Sequence, residues 1–420
     1  MAASTTRLWH PFSNMAAVAG CEFVVERGDG VWLWTEDGSR FLDGTGSLWY
    51  SNVGHGRVEI ADAVRAQLLE LDAFNIFNDF ANRPALELAE RLSGLAPIDD
   101  ARVFLATGGG DGVETAAKLA RRFWALRGEP ARTHLIGRSL AFHGAHGFGT
   151  SIGGIEANRE DVEPLAGDVS HVPYDSLEAL GAELQRLGPE RVAAVFVEPV
   201  IGAGGVLHPP TGYLEGVAGL CAESGCLLVL DEVICAFGRL GHWFAAERFG
   251  LNPDMIIFAK GVTSGYQPLG GVIVSGEIAE PFWSGEGNYF RSGQTYAGHP
   301  ACCAAALVNL AIIEREDLLA RSRELELALA RALEPLSAHP LVGEIRAGLG
   351  LMAAVELSPQ AVAGGTSVAA VFEAVREAGV LLRPLGTCLG ISPPLTISEQ
   401  EIELIPQAIE SALDRATQSI

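Results

Sequence analysis

Between residues 103 and 274 the chain alternates short apolar runs with stretches of helical periodicity. "VFLA" (103–106) leads into a helical pattern over 111–127. "THLIG", "DVSHVPY", a helical 176–187, "VAAVFVEP", a helical 213–224, "CLLVLDE", "DMIIFAK" and "GGVIVSG" then follow in turn. Runs that are apolar without alternation must be covered on both faces, so they predict a mainly parallel sheet between helices. Ligands of such α/β sheets bind beyond the carboxyl ends of the strands. Two of the runs end there on a charge: "LLVLD" stops on Asp231, followed by Glu232, and "MIIFA" stops on Lys260.

Composition sharpens the second of these. Of 29 basic side chains only Lys118 and Lys260 are lysine. Arginine serves for solubility and ion pairs, but its guanidinium does not lose a proton, so it cannot attack a carbonyl. A lysine kept in so arginine-biased a chain is a candidate for chemistry. Lys118 follows Glu114 by four residues in an alanine-rich helical pattern, the spacing of an ion pair on a solvated face. Lys260 ends an apolar run, so it is the candidate, against the alternative of a snorkelling strand-end lysine.

Two further signals fit with it. "FLATGGGDGVETAAK" sets Gly108, Gly109 and Gly110 between a strand and a helix start, where backbone N–H groups can approach an anion. An ordinary tight turn would read the same. "GLGLMA" (348–353) matches GxGxxA but lies between two strand-like runs, so it is expected to be a hairpin turn. No metal-ligand spacing surrounds Asp231, and no metal site is expected. A buried Asp facing a pyridine nitrogen keeps that nitrogen protonated. Phosphate cradle, strand-end Asp and strand-end Lys together make the set that pyridoxal phosphate (PLP) requires.

The ends of the chain have another texture. Residues 22–43 alternate as antiparallel strands with Asp-Gly turns. After a long helical pattern following "GHPACCAAALVNL" come strand-like runs, a helix at 367–378, "VLLRPLG" and "GISPPL". These suggest a smaller α+β domain built from both termini: an N-terminal segment at 1–60, a large domain at 61–310 and a C-terminal part at 311–420. The net charge of −23 disfavours nucleic acid and anionic membrane partners. No segment has the pattern of a signal peptide or the length of a membrane span. Seven cysteines, an odd number with no CxxC pair, suggest a reducing cytoplasm.

"LVLDEVICAFGRLGHWFAAERFGLNPDMIIFAKGVTSGYQPLGGVIVS" resembles the signature of class III PLP-dependent aminotransferases of fold type I. "WHPFSNM" is similar to the start of the family's diaminopelargonate and ω-amino acid members. "GDGVWLWTEDGSRFLDGTGSLWYSNVGHG", "AFHGAHGFGTSIGG", "VFVEPVIGAGGVLHPPTGYLEGV", "GQTYAGHPACCAAALVNL" and "RPLGTCLGISPPLTI" follow in family order. The resemblance implies a seven-stranded, mainly parallel sheet in the large domain. It implies that Lys260 forms the aldimine with PLP and carries the proton, and that Asp231 pairs with the pyridinium nitrogen. Phe142 would stack on one ring face, beside His143 of the same motif, and Val233 on the other. Gly109 and Gly110 would offer N–H groups to the phosphate. Thr295 would reach the phosphate of a neighbouring subunit, which implies a homodimer or larger assembly with shared sites. Trp49 falls at an aromatic wall of the substrate pocket, and Arg383 matches an arginine that some members use for a distal carboxylate. An interdomain ion pair is the alternative for Arg383.

The chain departs from the family pattern in three places. The cradle usually carries Ser-Gly-Ser or Ser-Gly-Ala, and here it reads Gly108-Gly109-Gly110, leaving Thr107 as the nearest hydroxyl. Ala203 replaces a glutamate and Gly390 replaces an arginine of the members that bind α-carboxylates. Without that arginine an α-carboxylate lacks a partner, and burying it is costly. The expected activity is a ping-pong transfer from an amine or ω-amino acid donor to an aldehyde or keto acceptor. An aminomutase, racemase or decarboxylase would use the same cofactor differently. A non-catalytic binding subunit is a reading of another class, and a nicotinamide dehydrogenase lacks its glycine fingerprint.

Overall fold

The computed structural model describes residues 6–417, so residues 1–5 and 418–420 at the ends of the expected domains lie outside it. Fifteen strands among the described residues form three sheets. The central sheet holds β4 (Arg102–Ala106), β5 (His134–Arg138), β6 (Val169–Val172), β7 (Val192–Val197), β8 (Leu227–Asp231), β9 (Met255–Phe258) and β10 (Gly270–Val274). Its order is β4-β10-β9-β8-β7-β5-β6. All neighbours pair in parallel except β10, which runs antiparallel to both β4 and β9. Every residue of β5, β7, β8, β9 and β10 is buried, which is why these runs carry no polar alternation.

Helices cover this sheet closely. The helix Gly109–Leu126 lies on β4, β9 and β10. Gly112 permits the approach: a Cβ there would lie 2.8 Å from the Ile257 side chain and 3.0 Å from the Gly271 carbonyl oxygen. On its outer side Lys118 sits 3.9 Å from Glu114, the i,i+4 pair that the spacing suggests.

The termini supply the other sheets. The strands β1 (Val25–Asp29), β2 (Trp32–Thr35) and β3 (Arg40–Asp43) form an antiparallel meander, and β13 (Val380–Leu381) adds to β3 in parallel. The third sheet contains β11 (Val342–Arg346), β12 (Ala353–Leu357), β14 (Arg383–Leu385) and β15 (Cys388–Ile391), in the order β11-β12-β15-β14. The "GLGLMA" glycines join β11 to its antiparallel partner β12, so this is the hairpin turn and no dinucleotide fingerprint. A buried cluster of Trp49, Val206, Ile234, Met352, Leu385 and Cys388 ties the loops beyond β8 to this third sheet. Among the described residues no helix is long and apolar enough to cross a membrane.

Candidate active site

Five parallel-running strands deliver one residue or loop each to a single pocket past their carboxyl ends. Gly109 and Gly110 follow β4, Phe142, His143 and Gly144 follow β5, and Glu198 follows β7. Asp231 and Val233 come from the end of β8, and Lys260 follows β9. The structure therefore brings together seven of the expected residues: Gly109, Gly110, Phe142, His143, Asp231, Val233 and Lys260.

The two acids at the end of β8 part company, as successive strand residues do. Asp231 turns into the pocket. Glu232 is fully buried on the other side, where it accepts hydrogen bonds from the backbone N–H groups of Ala245 and Ala246. Burial pushes the Glu232 carboxyl up to about 8.

Asp231 is fixed through both oxygens. The Val233 N–H donates to Oδ1 at 3.1 Å, and Nδ1 of His143 lies 2.8 Å from Oδ2. A proton on Nδ1 suits the carboxylate it faces, and the buried Nε2 has no partner. Beside this pair lies Glu198, whose oxygens accept from Phe142 N–H at 2.9 Å and Gly202 N–H at 3.1 Å. Burial raises the Glu198 carboxyl, His143 opposes that shift, and Asp231 adds to it. The buried Arg138 guanidinium donates to the Glu198 backbone carbonyl. Sequence reasoning passed over Glu198 and Arg138. The signal for Glu198 was present, because β7 ends on an acid just as β8 does.

Lys260 opens a short turn with φ of +49°, a left-handed conformation costing a side-chain-bearing residue about 1–3 kcal/mol. It is partly buried, less so than its acidic neighbours. Burial lowers its ammonium to about 8, against the pull of Asp231 and Glu198, and the charge of Arg383 lowers it further. An amine so placed loses its proton far more readily than one in water.

Trp49, Arg383 and Thr295 do not line this pocket. Trp49 is buried in the cluster that includes the pocket residue Ile234. Arg383 is half-buried and its Nε has no partner. Thr295 is exposed. Thr107, the nearest hydroxyl to the cradle, is engaged by the Asp111 carboxylate.

The residues present fit PLP. Gly109 and Gly110 open the helix Gly109–Leu126, whose first-turn N–H groups have no partner within the helix and favour an anion. A Cβ at Gly109 would lie 2.8 Å from the Val233 side chain, so a bare backbone is required there. A fixed buried carboxylate, a lysine of lowered proton affinity, and Phe142 and Val233 as apolar walls complete the donor set.

The chain matches the model of the aminotransferase class-III family over residues 15–413. It is 34% identical to a putrescine–pyruvate aminotransferase of Pseudomonas aeruginosa, over 94% of this chain and 91% of that one. It is 35% identical to an omega-aminotransferase of Caulobacter vibrioides, over 96% of each. An amine transaminase from an uncultivated Pseudomonas species, solved with PLP bound, superimposes with a TM-score of 0.93 at 36% identity. That match covers 98% of this chain and 99% of the other. The fold is that of the fold type I PLP enzymes, PLP is the cofactor, and the reaction is amino-group transfer between an amine donor and a keto acceptor. Over nearly its whole length the chain belongs to the class III aminotransferases.

Proposed function

We propose that this aminotransferase takes amines and ω-amino acids as donors, and monocarboxylic keto acids or aldehydes as acceptors. The observation that carries this is the surrounding of Gly390. A Cβ built there would lie 2.7 Å from the Leu385 side chain and 3.4 Å from the Trp49 ring. Apolar groups therefore fill the space in which related enzymes place an arginine for an α-carboxylate. Arg383 then serves as the cation for a substrate carboxylate, and one guanidinium satisfies one carboxylate well. The named substrates of the P. aeruginosa relative, a diamine and pyruvate, agree with this reading.

Bound PLP supplies a reactive carbonyl and an electron sink. The remaining work falls to side chains of this chain. Lys260 would hold the cofactor through its amine and, once released, would move a proton from the amine-bearing carbon to the cofactor in the first half of the cycle and back to the acceptor carbon in the second. Asp231 holds the proton on the ring nitrogen, with His143 orienting the carboxylate. Phe142 and Val233 confine the ring, Gly109 and Gly110 receive the phosphate, and Trp49 backs the substrate pocket.

Thr295 serves the site of a second copy. It is exposed and adjoins exposed Tyr296, and a separate segment exposes Phe74, Phe77 and Phe80. A Cβ at Gly293 would lie 3.1 Å from the Phe77 ring, so this loop and the aromatic segment form one surface. Such a patch suits a homodimer interface. The division into 1–60, 61–310 and 311–420 is supported by the separate sheets of the termini. Seven free cysteines agree with a reducing cytoplasm.

The test is a matrix of donors and acceptors. A terminal diamine or ω-amino acid with pyruvate should exceed glutamate, or any donor with 2-oxoglutarate, by at least about tenfold in kcat/KM. Equal use of glutamate and the diamine would overturn the assignment.

A further inference from the structure

The cradle of Gly108, Gly109 and Gly110 lacks a hydroxyl side chain. Gly110 carries no side chain, and Thr107 is committed to Asp111. Yet a side chain at 110 would be crowded by a neighbour. A Cβ there would lie 3.3 Å from both Nδ1 and Cε1 of His146, tighter than ordinary contact. Backbone geometry sets this up. Gly144, at φ of +92°, presses against the cradle so closely that a Cβ on it would lie 2.9 Å from the Gly110 Cα. His146 follows two residues later, with its side chain 52% exposed and Nδ1 3.6 Å from Oδ1 of Asp111.

Charge supports the same placement. Asp111 lies in the first helical turn, beside the N–H groups of Gly109 and Gly110. A phosphate dianion there would meet a carboxylate of like sign, which is unfavourable unless a donor or cation stands between them. An imidazole is such a donor, and hydrogen bonds to ionised acceptors are the stronger kind.

We propose that His146 is a phosphate ligand of the cofactor, donating from its imidazole the hydrogen bond that the glycine cradle cannot make, with Asp111 orienting the ring. This rests on the reading of Gly109 and Gly110 as the phosphate cradle. It makes the pair Gly110 and His146 a swap: the small residue is tolerated because the large one fills its space and takes over its contact.

The test is equilibrium binding of PLP and of pyridoxal, which lacks the phosphate, to the apoprotein, followed by absorbance. His146→Ala should weaken PLP by about tenfold or more, the value of one charge-assisted hydrogen bond, and leave pyridoxal unchanged. Gly110→Ser alone should not improve PLP binding, since its side chain meets the imidazole. Combined with His146→Ala it should recover most of the lost affinity. His146→Gln, which keeps a donor, should fall between. His146 is exposed enough that these variants should fold, and circular dichroism checks that. If the unaltered protein binds PLP no better than pyridoxal, the cradle reading itself is wrong. If it prefers PLP and His146→Ala keeps that preference, the cradle stands and the role of His146 is overturned.

Discussion

His143 and Asp231 form a closed pair: Nδ1 to Oδ2 is 2.8 Å, with the imidazole buried and the carboxylate nearly so. The second oxygen of Asp231 accepts from the Val233 N–H, so the carboxylate cannot rotate away from the pocket. Removing the imidazole leaves a buried charge with one donor fewer, a loss of about 1–3 kcal/mol. His143→Ala should therefore lower the urea midpoint and reduce kcat by roughly tenfold. Asp231→Asn, which removes the charge itself, should cost about 10²–10³ in kcat. If His143→Ala matches the unaltered enzyme in both measurements, the pair has no positioning role.

Lys260 binds fewer protons in the folded apoprotein than in the unfolded chain between pH about 8 and its ordinary value of 10.5. A lowered ammonium penalises the fold fully below the folded value, and the penalty fades as pH rises to the unfolded one. Lys260→Met should thus raise the apoprotein's melting temperature most below pH 8. The gain should shrink steadily toward pH 10.5. A gain independent of pH would show that packing alone is responsible.

Arg383 carries the proposed carboxylate contact. Arg383→Ala should raise KM for pyruvate by about tenfold or more, the loss of one charge-assisted contact. Turnover with an aldehyde acceptor, which has no carboxylate, should stay within about threefold. A parallel loss with both acceptors would place Arg383 in a structural ion pair instead.

Glu198 receives two backbone N–H groups, one on each oxygen. Glutamine in its place would turn an amide N–H toward one of those donors. Glu198→Gln should cost about 1–3 kcal/mol in urea unfolding of the apoprotein. A cost below about 0.5 kcal/mol would mean that the turn at Phe142 and Gly202 does not depend on this carboxylate.

The aromatic surface beside Thr295 is the proposed dimer contact. Phe77→Arg should shift the protein toward monomer in sedimentation and weaken PLP retention, because each phosphate would lose a neighbour's Thr295. A variant that stays dimeric with unchanged PLP affinity would remove both claims.

Much of the site was legible because it sits where buried strands stop. Asp231 and Lys260 interrupt apolar runs, and a charge at the end of a buried strand has few structural uses. Glu198 in "VAAVFVEP" ends its apolar run in the same way. Other parts depend on contacts distant in sequence. Arg239 is fully buried, with its guanidinium donating to the Leu351 and Pro393 carbonyls at 2.8 and 2.7 Å, and no spacing announces that. The contact between His146 and Gly110 arises from a glycine turn 34 residues on from the cradle. Trp49 and Arg383 lie outside the pocket lining, Arg383 at the start of β14, so their motif positions alone could not place them. The Thr107 hydroxyl was available in the sequence and spoken for in the fold, because Asp111 lies one helical turn away.

The most direct measurement is the visible absorption spectrum of the protein after incubation with PLP, before and after an ω-amino acid donor, and again after pyruvate. The protein should turn yellow, lose its band with the donor and regain it with the keto acid, and a Lys260→Ala variant should show no such cycle. A protein that stays colourless with PLP, or a Lys260→Ala variant that cycles as the unaltered protein does, would contradict the assignment of Lys260 at the centre of this site.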